Sequence, residues 1–390
     1  MGLDHNTLES DFETKWFEFL TGPKRKPDIS SRQFRIVDLF SSVGGLTLGA
    51  SLELAERELS ARPMLALDVD QGALAVYKQN WATAQTINQS IREVVDSQHK
   101  LGRAGWEFAY EPELLVPALQ EQVGRTDLVV AGPPCQGNSA LNNSTLGNDP
   151  RNKLYLDAAA VAVALDADRI VIENVPGVVW SKDNIVGVTA ELLQSRGYEL
   201  EMGVLAADYF GWPQTRKRFF MVASKVSSPV PFADIKGAFG RPALPVTWAI
   251  DGVKASSNPD DLYRSPANLS DVSVDRITKL DAAGLYNMPL ELRPDSHKGG
   301  TTYIASYGRM RPDKPAPTIT TGFFTPGRGR FIHPLELRTL TGHEAARIQG
   351  FPDWYSFTAT PHTRTSLAKW IGDAVPPILG YFATKSVMGI

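Results

Sequence analysis

The chain has 390 residues, 43% of them apolar and 21% charged, which is enough to bury a large core and to divide into two units. Its 40 basic and 43 acidic residues give a net charge of −3, which argues against a uniformly basic coat for nucleic acid. The single cysteine, Cys135, excludes a disulfide framework and a cysteine-based zinc site, and the scattered histidines imply no metal. No apolar run reaches the roughly 20 residues of a membrane span, so we expect a cytoplasmic globular protein.

The first predicted element is a helix over residues 7–20, where apolar residues recur at helical spacing before a linker rich in Pro, Lys and Arg. From residue 34 to about 224, strand-like runs alternate with helical patterns. This alternation indicates an α/β fold with a doubly wound, Rossmann-like, mostly parallel sheet. The predicted strands cover residues 36–40, 64–67, 128–131, 170–172 and 219–223.

The texture changes after Ser224 to irregular sequence rich in Pro, Gly and Asp, which predicts a second, smaller domain. Thr341 and Glu344 then predict a capping box at the start of a helix that runs to Gln349 and stops at Gly350. The tail, residues 367–390, is apolar enough to predict one final helix that returns to the first domain.

A small-residue turn at Ser41–Gly49 follows the predicted strand over residues 34–40. Glycines let a backbone approach a ligand closely, and a helix N-terminus attracts a carboxylate or phosphate, so the turn indicates a nucleotide-type crevice. A merely tight strand-to-helix corner would also explain it. The next strand ends at Asp68 and Asp70, where doubly wound folds hold ribose hydroxyls, and the two features together favour a ligand.

The thiol of Cys135 follows the buried strand 128–131 and a rigid Pro-Pro turn. Open α/β sheets place their ligands at the carboxyl ends of strands, and two prolines fix the approach to the next residue. We therefore interpret Cys135 as a nucleophile. By itself the motif fits a hydrolase, a redox sensor or an alkyl transfer, and a lone cysteine is often an inert core residue.

Further motifs follow this Pro-Pro-Cys-Gln turn in a fixed order, and their order resembles the cytosine-C5 DNA methyltransferases. They are Asp149–Leu154, Glu173–Val175, Phe210–Arg218, Arg338–Phe351 and Gly372–Pro376. The resemblance covers roughly residues 34–224 and 303–380. It implies transfer of a methyl group from S-adenosylmethionine to C5 of a cytosine that is flipped out of double-stranded DNA.

The resemblance also gives the predicted domains their roles. An N-terminal helix and linker would occupy residues 1–33, and a Rossmann-like catalytic and cofactor-binding domain residues 34–224. A smaller target-recognition domain would occupy residues 225–350. The C-terminal segment, residues 351–390, would return to the catalytic domain.

The family's chemistry, carried over to matching positions, assigns four catalytic residues. Cys135 would add to cytosine C6 and so make C5 able to take a methyl group. Glu173, a carboxyl kept partly protonated by a dry pocket, would quench the charge at N3. A structural role for Glu173 alone, as a cap or ion-pair partner after a strand, is the plain alternative. Arg216 and Arg218 would bind cytosine O2 and orient the acid, and Arg218 is the better candidate for the contact with the cytosine.

The resemblance further implies a cofactor crevice. Phe40 would lie against adenine, Asp68 would bind the ribose hydroxyls, and Gly44 and Gly45 would form the turn under the methionine end. The other implied lining residues are Val69, Ser90, Ile91, Pro134, Leu154, Asp373 and Ala374. Ser42, Ser90 and Asp373 depart from the family pattern. If the position of Ser42 requires a positive φ, a serine there costs about 1 kcal/mol or more and puts cofactor affinity in doubt.

DNA recognition is expected in the region with a local excess of basic residues. Residues 293–330 contain seven basic and two acidic residues, although a solvated basic loop is the plain alternative. The predicted DNA contacts are Gln136, Ser139, Arg151, Arg309, Arg311, Arg328 and Arg330. A monomer would suffice, and a restriction endonuclease encoded nearby is a possible partner.

Two rival functions stay open on sequence alone. One is RNA methylation, because a branch of the family modifies tRNA with the same active site. That branch typically shows a Cys-Phe-Thr run, which is absent here because Cys135 is the only cysteine. The other is a non-catalytic DNA-binding relative with a decayed cofactor pocket, suggested by the departures at Ser42, Ser90 and Asp373.

Overall fold

The computed structural model describes residues 5–24, 31–134, 153–295, 305–358 and 361–389, with side chains from Phe12 onward. The chain forms two compact units, each built from separate stretches of sequence. The sheet unit consists of Pro27–Phe210, Lys217–Gly240 and Val375–Ile390. The second unit consists of Met1–Lys26, Gly211–Arg216 and Arg241–Ala374.

The strands all belong to the sheet unit. They are β1 (Gln33–Leu39), β2 (Ser60–Asp68), β3 (Gln85–Asn88), β4 (Val95–Asp96), β5 (His99–Leu101), β6 (Trp106–Phe108), β7 (Glu113–Leu114), β8 (Leu128–Ala131), β9 (Arg169–Asn174), β10 (Glu199–Ala206) and β11 (Lys217–Ser224). The main sheet has seven strands in the order β10-β11-β9-β8-β1-β2-β3. Strand β11 runs antiparallel to both of its neighbours, and the other pairs are parallel.

The helices are α1 (His5–Thr21), α2 (Gly45–Glu56), α3 (Gln71–Asn80), α4 (Pro117–Gln120), α5 (Leu154–Ala164), α6 (Ile185–Gln194), α7 (Phe232–Phe239), α8 (Val246–Ile250), α9 (Asp271–Ala282), α10 (Gly342–Gln349), α11 (Arg364–Asp373) and α12 (Pro377–Met388). Short 3₁₀ turns cover Ile91–Glu93, Pro176–Trp180, Ala207–Tyr209, Leu290–Leu292 and Pro326–Arg328. Within the described ranges, no helix is both long enough and apolar enough to cross a membrane.

The centre of the sheet is built from continuous apolar runs. All four residues of β8 are buried, as are the last five of β9, because parallel strands are covered on both faces. The carboxyl ends of β1, β2, β8 and β9 lie at the same edge, since these strands are mutually parallel. This edge carries Phe40, Asp68, Pro134 and Glu173, which are among the residues predicted to form the site.

Helix α2, which follows the glycine turn, packs closely against the C-terminal helix α12. A methyl group added to Gly45 or Gly49 would overlap the carbonyl oxygen of Val375 or Pro377, so only glycine permits this approach. The buried Glu53 carboxylate of α2 forms an ion pair with Lys385 of α12, with 2.6 Å between Oε2 and Nζ. Contacts with Val375 and with α12 therefore fix the position of α2.

The structure confirms the predicted fold class and most predicted elements, and it corrects one. Helix α1 and the capping box of Thr341 and Glu344 are present as predicted. The expectation of one final helix over residues 367–390 is wrong, because the region forms α11 and α12. Pro376 and Pro377 lack backbone N–H groups, and Pro377 opens the new helix at a position that prolines favour.

Candidate functional site

The turn that leads to the predicted nucleophile lies at the carboxyl edge of the sheet. Strand β8 ends at Ala131, between β1 and β9, and continues into Gly132, Pro133 and Pro134. Cys135 itself lies outside the described residues, as do the predicted DNA contacts Gln136, Ser139 and Arg151. Their assignments stay predictions from sequence.

The end of β9 lies directly beside this turn. The Asn174 side-chain amide donates a hydrogen bond to the Pro133 carbonyl oxygen at 3.2 Å. A methyl group at Gly132 would lie 3.7 Å from Oε2 of Glu173 and 3.9 Å from the carbonyl oxygen of Phe40. The predicted acid therefore sits over the backbone that leads to Cys135, close to the start of the glycine turn.

Arg218 and Glu173 form an ion pair, with 2.6 Å between Nε of the arginine and Oε1 of the acid. The two side chains are 16% and 8% exposed. The antiparallel register of β9 and β11, in which Glu173 pairs with Phe220, brings the two residues together. Because both side chains are largely shielded from water, the attraction between the opposite charges holds the carboxylate close to the guanidinium.

Arg216 has a different environment, in the second unit. Its side chain is buried, and Nη1 donates hydrogen bonds to the carbonyl oxygens of Ile319 at 2.7 Å and Gly372 at 3.0 Å. These bonds tie the segment before β11 to two distant parts of the same unit. Among the described residues, Arg218 contacts the acid and Nη1 of Arg216 binds backbone carbonyl groups. The catalytic roles of both arginines stay predictions.

The glycine turn after β1 has a strained backbone. Phe40, Ser42 and Gly44 have φ angles of 55°, 45° and 88°. The backbone N–H of Ser42 donates to Oδ2 of Asp68 at 2.8 Å, and the N–H of Asp70 donates to Oδ1 of Asp68 at 2.8 Å. Asp68 thereby joins the turn to the end of β2. Ser42 therefore has the positive φ that is costly for a serine.

The turn fits a ligand that carries a carboxylate and hydroxyl groups. The hydroxyl of Ser41 is buried and has no hydrogen-bond partner among the described residues. The N-cap residue of α2 is Gly44, and no described side chain forms a capping hydrogen bond there. Backbone N–H groups left open at a helix start attract anions, so the residues present suit the carboxylate end of the expected cofactor.

Replacing Ser42 by glycine is expected to stabilise the protein. The left-handed conformation costs a serine about 1 kcal/mol, whereas glycine adopts it freely. The unfolding free energy should rise by up to about 1 kcal/mol, and cofactor affinity should rise if strain in this turn weakens binding. Thermal denaturation and titration with the methyl donor measure both effects. Ser42→Ala, which keeps the strain, is the matched control and should show neither gain.

Asp38 of β1 is a fully buried carboxyl group behind the turn. The Thr47 hydroxyl donates to its Oδ2 at 2.6 Å, and the Tyr77 hydroxyl lies 3.0 Å from the same threonine oxygen. Burial raises the pKa of Asp38 to about 8 and is the largest effect. The hydrogen bond from Thr47 lowers this pKa, and the nearby Asp68 charge raises it by a smaller amount. The side chain is therefore largely protonated at neutral pH.

This raised pKa predicts a pH dependence of stability. The unfolded chain loses the Asp38 proton near pH 4, whereas the folded chain keeps it until about pH 8, so the stabilisation is complete below pH 4 and declines as pH rises to about 8. Asp38→Asn cannot ionise. We expect this variant to gain stability relative to the unsubstituted protein on going from about pH 5 to about pH 8, as measured by urea unfolding. The exposed Gln194→Ala removes no titratable group and should not change the pH profile.

The other residues of the predicted cofactor crevice have varied environments. Val69 is 71% exposed, Leu154 is half-buried against the core, and Ile91 is buried. Ser90 forms a local capping box with Glu93, which gives this departure from the family pattern a structural role. The Asn88 side chain donates to the carbonyl oxygen of Asp68 at 3.1 Å. Asn88 is thus a polar neighbour of Asp68 that the sequence interpretation did not select.

The last two predicted crevice residues, Asp373 and Ala374, lie at the end of α11. Asp373 pairs with Lys369 one turn earlier, at 2.9 Å, on an exposed face. Ala374 is buried, and its carbonyl oxygen accepts a hydrogen bond from the Gln349 side chain at 3.1 Å. The backbone at this position is held firmly, while the Asp373 carboxylate is occupied by a local ion pair.

The basic residues predicted to contact DNA fall into two groups. Arg309 pairs with Asp281, and Arg330 donates to the carbonyl oxygens of Tyr286 and Arg309. The guanidinium groups of both are thus engaged within the unit. Arg311 and Arg328 are exposed, and the Arg311 guanidinium lies 4.8 Å from the centre of the Tyr286 ring. These two have their charged groups at the surface.

One cluster of potential metal ligands occurs among the described residues, formed by His333, Glu336 and Glu344. Nδ1 of His333 accepts hydrogen bonds from the backbone N–H groups of Leu335 and Glu336, at 3.1 and 3.0 Å. Arg338 binds both carboxylates, and burial lowers the pKa of His333. Because these internal partners already occupy the ligand atoms, we assign the cluster to the packing of the second unit.

Comparison with known proteins identifies the family. Residues 34–388 match the model of the C-5 cytosine-specific DNA methylases. The chain is 34% identical to the type II methyltransferase M1.BsuMI of Bacillus subtilis over 97% of this chain and 86% of that protein. It is 29% identical to the type II methylase M.HgiDII of Herpetosiphon aurantiacus, over 90% and 94% of the two chains.

A solved structure supports the fold. The Dnmt2 methyltransferase of S. pombe matches with a TM-score of 0.59 at 17% identity, covering 92% of this chain and 99% of the other. The match over residues 34–388 confirms the resemblance inferred from the order of the motifs. The chain therefore belongs to the C-5 cytosine-specific DNA methylase family and is a DNA (cytosine-5)-methyltransferase.

Proposed function

We propose that this enzyme transfers a methyl group from S-adenosylmethionine to C5 of a cytosine in a specific double-stranded DNA sequence, through a covalent bond between Cys135 and cytosine C6. The observation that carries the proposal is the ion pair of Glu173 and Arg218 beside the turn Gly132–Pro134. A carboxyl group, a guanidinium and a thiol are the groups that this chemistry requires at N3, O2 and C6, and the turn leads in sequence to Cys135.

The proposed reaction begins with the Cys135 thiolate, whose sulfur forms a bond to C6. The electron pair displaced from the C5–C6 double bond moves through the ring to N3, and N3 takes a proton from the protonated form of Glu173, which becomes the carboxylate. C5 would then take the methyl group of the bound donor, whose bond from sulfur to methyl breaks with the electron pair left on sulfur, so that S-adenosylhomocysteine is the leaving product. Water removes the C5 proton, the bond from C6 to sulfur breaks, and the N3 proton returns to Glu173, so that the thiolate is regenerated.

Arg218 would act in this reaction through its position. Its guanidinium is planar and can bind the Glu173 carboxylate through Nε while other N–H groups face cytosine O2. A positive charge at O2 stabilises the electron density that the ring gains when sulfur adds. Arg216, whose Nη1 is bound to backbone, would hold the preceding segment in place.

The target cytosine must leave the duplex, because C6 is inaccessible in stacked DNA. Flipping a nucleotide out costs a few kcal/mol, which protein contacts have to offset. Exposed arginines can do so through phosphates, and we propose Arg311 and Arg328 as the first candidates, since Arg309 and Arg330 have internal partners.

The glycine turn would hold the methyl donor. The open N-terminus of α2 and the buried Ser41 hydroxyl suit its carboxylate end, and Asp68 suits its ribose hydroxyls. Phe40 and the exposed Val69 supply apolar surface for adenine. Burying Val69 under a ligand would remove an exposed valine from water, which favours binding.

The two relatives suggest a biological setting. M1.BsuMI and M.HgiDII are type II enzymes, so we propose that this methyltransferase protects DNA in the cytoplasm alongside a restriction endonuclease of the same specificity. A gene for such a nuclease next to the gene for this enzyme would support the pairing. An isolated gene would favour a regulatory role for the methylation.

The proposal is tested by incubating the enzyme with S-adenosylmethionine and a complex unmethylated DNA, and then mapping C5 methylation at base resolution. We expect methylation confined to one short motif, with none when the donor is omitted. Methylation of RNA with an unmethylated DNA map would overturn the DNA assignment. An unmethylated map together with no saturable binding of the donor would identify a decayed relative.

A further inference from the structure

Helix α1 lies outside the matched family region, yet it packs on the segment that carries Arg216. The family match begins at residue 34, whereas α1 spans His5–Thr21. Both α1 and the segment Gly211–Arg216 belong to the second unit. The buried side chain of Trp16 meets that of Trp212 edge to face, with 5.5 Å between ring centres and 76° between planes.

A second contact from α1 reaches the start of the same segment. Gly211 has a φ of 84°, and a methyl group there would lie 3.0 Å from the Phe12 ring and 2.7 Å from the Arg241 side chain. The Arg241 guanidinium covers the Phe12 ring at 4.1 Å. The segment therefore begins at a glycine whose conformation and surroundings exclude a side chain, and Phe12 forms part of that barrier.

The rest of the segment is fixed by hydrogen bonds from other directions. The indole N–H of Trp212 donates to the Ile348 carbonyl oxygen at 2.8 Å, and the Gln214 amide donates to the same oxygen at 3.2 Å. The backbone N–H of Thr215 donates to the carbonyl oxygen of Ala316 at 2.9 Å. The packing of α1 on Trp212 therefore adds an apolar contact to the hydrogen bonds that hold this segment.

We infer that α1 is a positioning element for catalysis, in which Trp16 sets the placement of Trp212 and, through the segment Gly211–Arg216, the point at which the chain enters β11, the strand that carries Arg218. The inference rests on the proposed function, since that function assigns Arg218 to the reaction. Side chains at a reacting centre tolerate little displacement, and an error of about 1 Å can reduce a rate 100-fold. Trp16 would touch neither substrate nor cofactor.

The test compares Trp16→Ala with Trp16→Phe in the full chain. Trp16→Ala removes the edge-to-face contact and is expected to lower kcat about 10- to 100-fold, with little change in KM for DNA or in the affinity for S-adenosylmethionine. Trp16→Phe keeps an aromatic edge and should recover most of kcat. The matched control is Thr14→Ala, an exposed position on the same helix, which should behave as the unsubstituted enzyme.

The outcomes separate this inference from the proposed function. If the unsubstituted enzyme does not methylate DNA, the proposed function fails before the variants are compared. If it does, a Trp16→Ala enzyme with unchanged kcat overturns the inference, even when its melting temperature falls. An increase in KM at constant kcat would show that α1 serves DNA binding, and equal losses in Trp16→Phe or Thr14→Ala would show nonspecific destabilisation. Either result also overturns the inference.

Discussion

Replacing Cys135 by alanine is expected to abolish methyl transfer while DNA binding persists. Without the thiolate, C5 of cytosine is too weak a nucleophile to accept the methyl group, and loss of the nucleophile in a covalent mechanism costs on the order of 10⁵-fold or more in rate. Transfer of a radiolabelled methyl group to DNA measures the loss, and a gel-shift assay measures binding. Full residual activity would rule out the covalent mechanism.

The proposed covalent bond is open to trapping in the unsubstituted enzyme. Its target DNA is prepared with fluorine at C5 of the cytosine. Because fluorine cannot leave as a cation in place of the C5 proton, the bond from sulfur to C6 should persist after methyl transfer. We expect a protein–DNA complex that survives denaturation and requires both Cys135 and the methyl donor. The same DNA with Cys135→Ala should yield none.

Replacing Glu173 by glutamine is expected to give the second-largest loss. The amide has nearly the same shape but cannot deliver a proton to N3, and it forms no ion pair with Arg218. General acid catalysis contributes about 10²- to 10⁴-fold, so kcat should fall by an amount in this range, with DNA binding retained. Single-turnover kinetics measures the chemical step directly.

Stability must be followed in the same variant, because glutamine leaves a largely buried arginine without its partner. A melting temperature measured beside the kinetics distinguishes a folded, slow enzyme from an unfolded one. Glu121→Gln, at an exposed carboxylate, is the matched control and should keep full activity. Normal kcat in a folded Glu173→Gln enzyme would remove Glu173 from the mechanism.

The sequence predicts the central strands of the sheet better than its edges. Strand β8 begins and ends where predicted, because it is a continuous apolar run bounded by Asp127 and Gly132. Strands β3 and β10 were not predicted, and both are edge strands of the main sheet. An edge strand is covered on fewer sides, so β10 carries two glutamates and only one fully buried residue, which obscures the apolar pattern.

For the candidate site, the sequence predicts which residues belong to it better than which partners these residues contact. The motifs indicate Glu173, Arg216 and Arg218, but the contrast between an ion pair and a backbone anchor depends on the register of β9 with β11 and on Ile319, more than 100 residues away. Asn174 belongs to the motif Glu173–Val175, yet the sequence assigns it no role. Its bond to Pro133 joins two strands, and no local pattern encodes such a contact.

The close packing of α2 against α12 has a consequence for biosynthesis. Tyr381 of α12 donates a hydrogen bond to Glu56 at the end of α2, across a separation of 325 residues. A ribosome makes a chain from its N-terminus, so the glycine-lined face of α2 emerges long before the helix that covers it. Until residues 375–388 have been translated, that face stays exposed to chaperones and proteases. The nascent chain cannot complete the proposed donor-binding crevice early, and methylation activity should appear only after residues 375–388 have been synthesised.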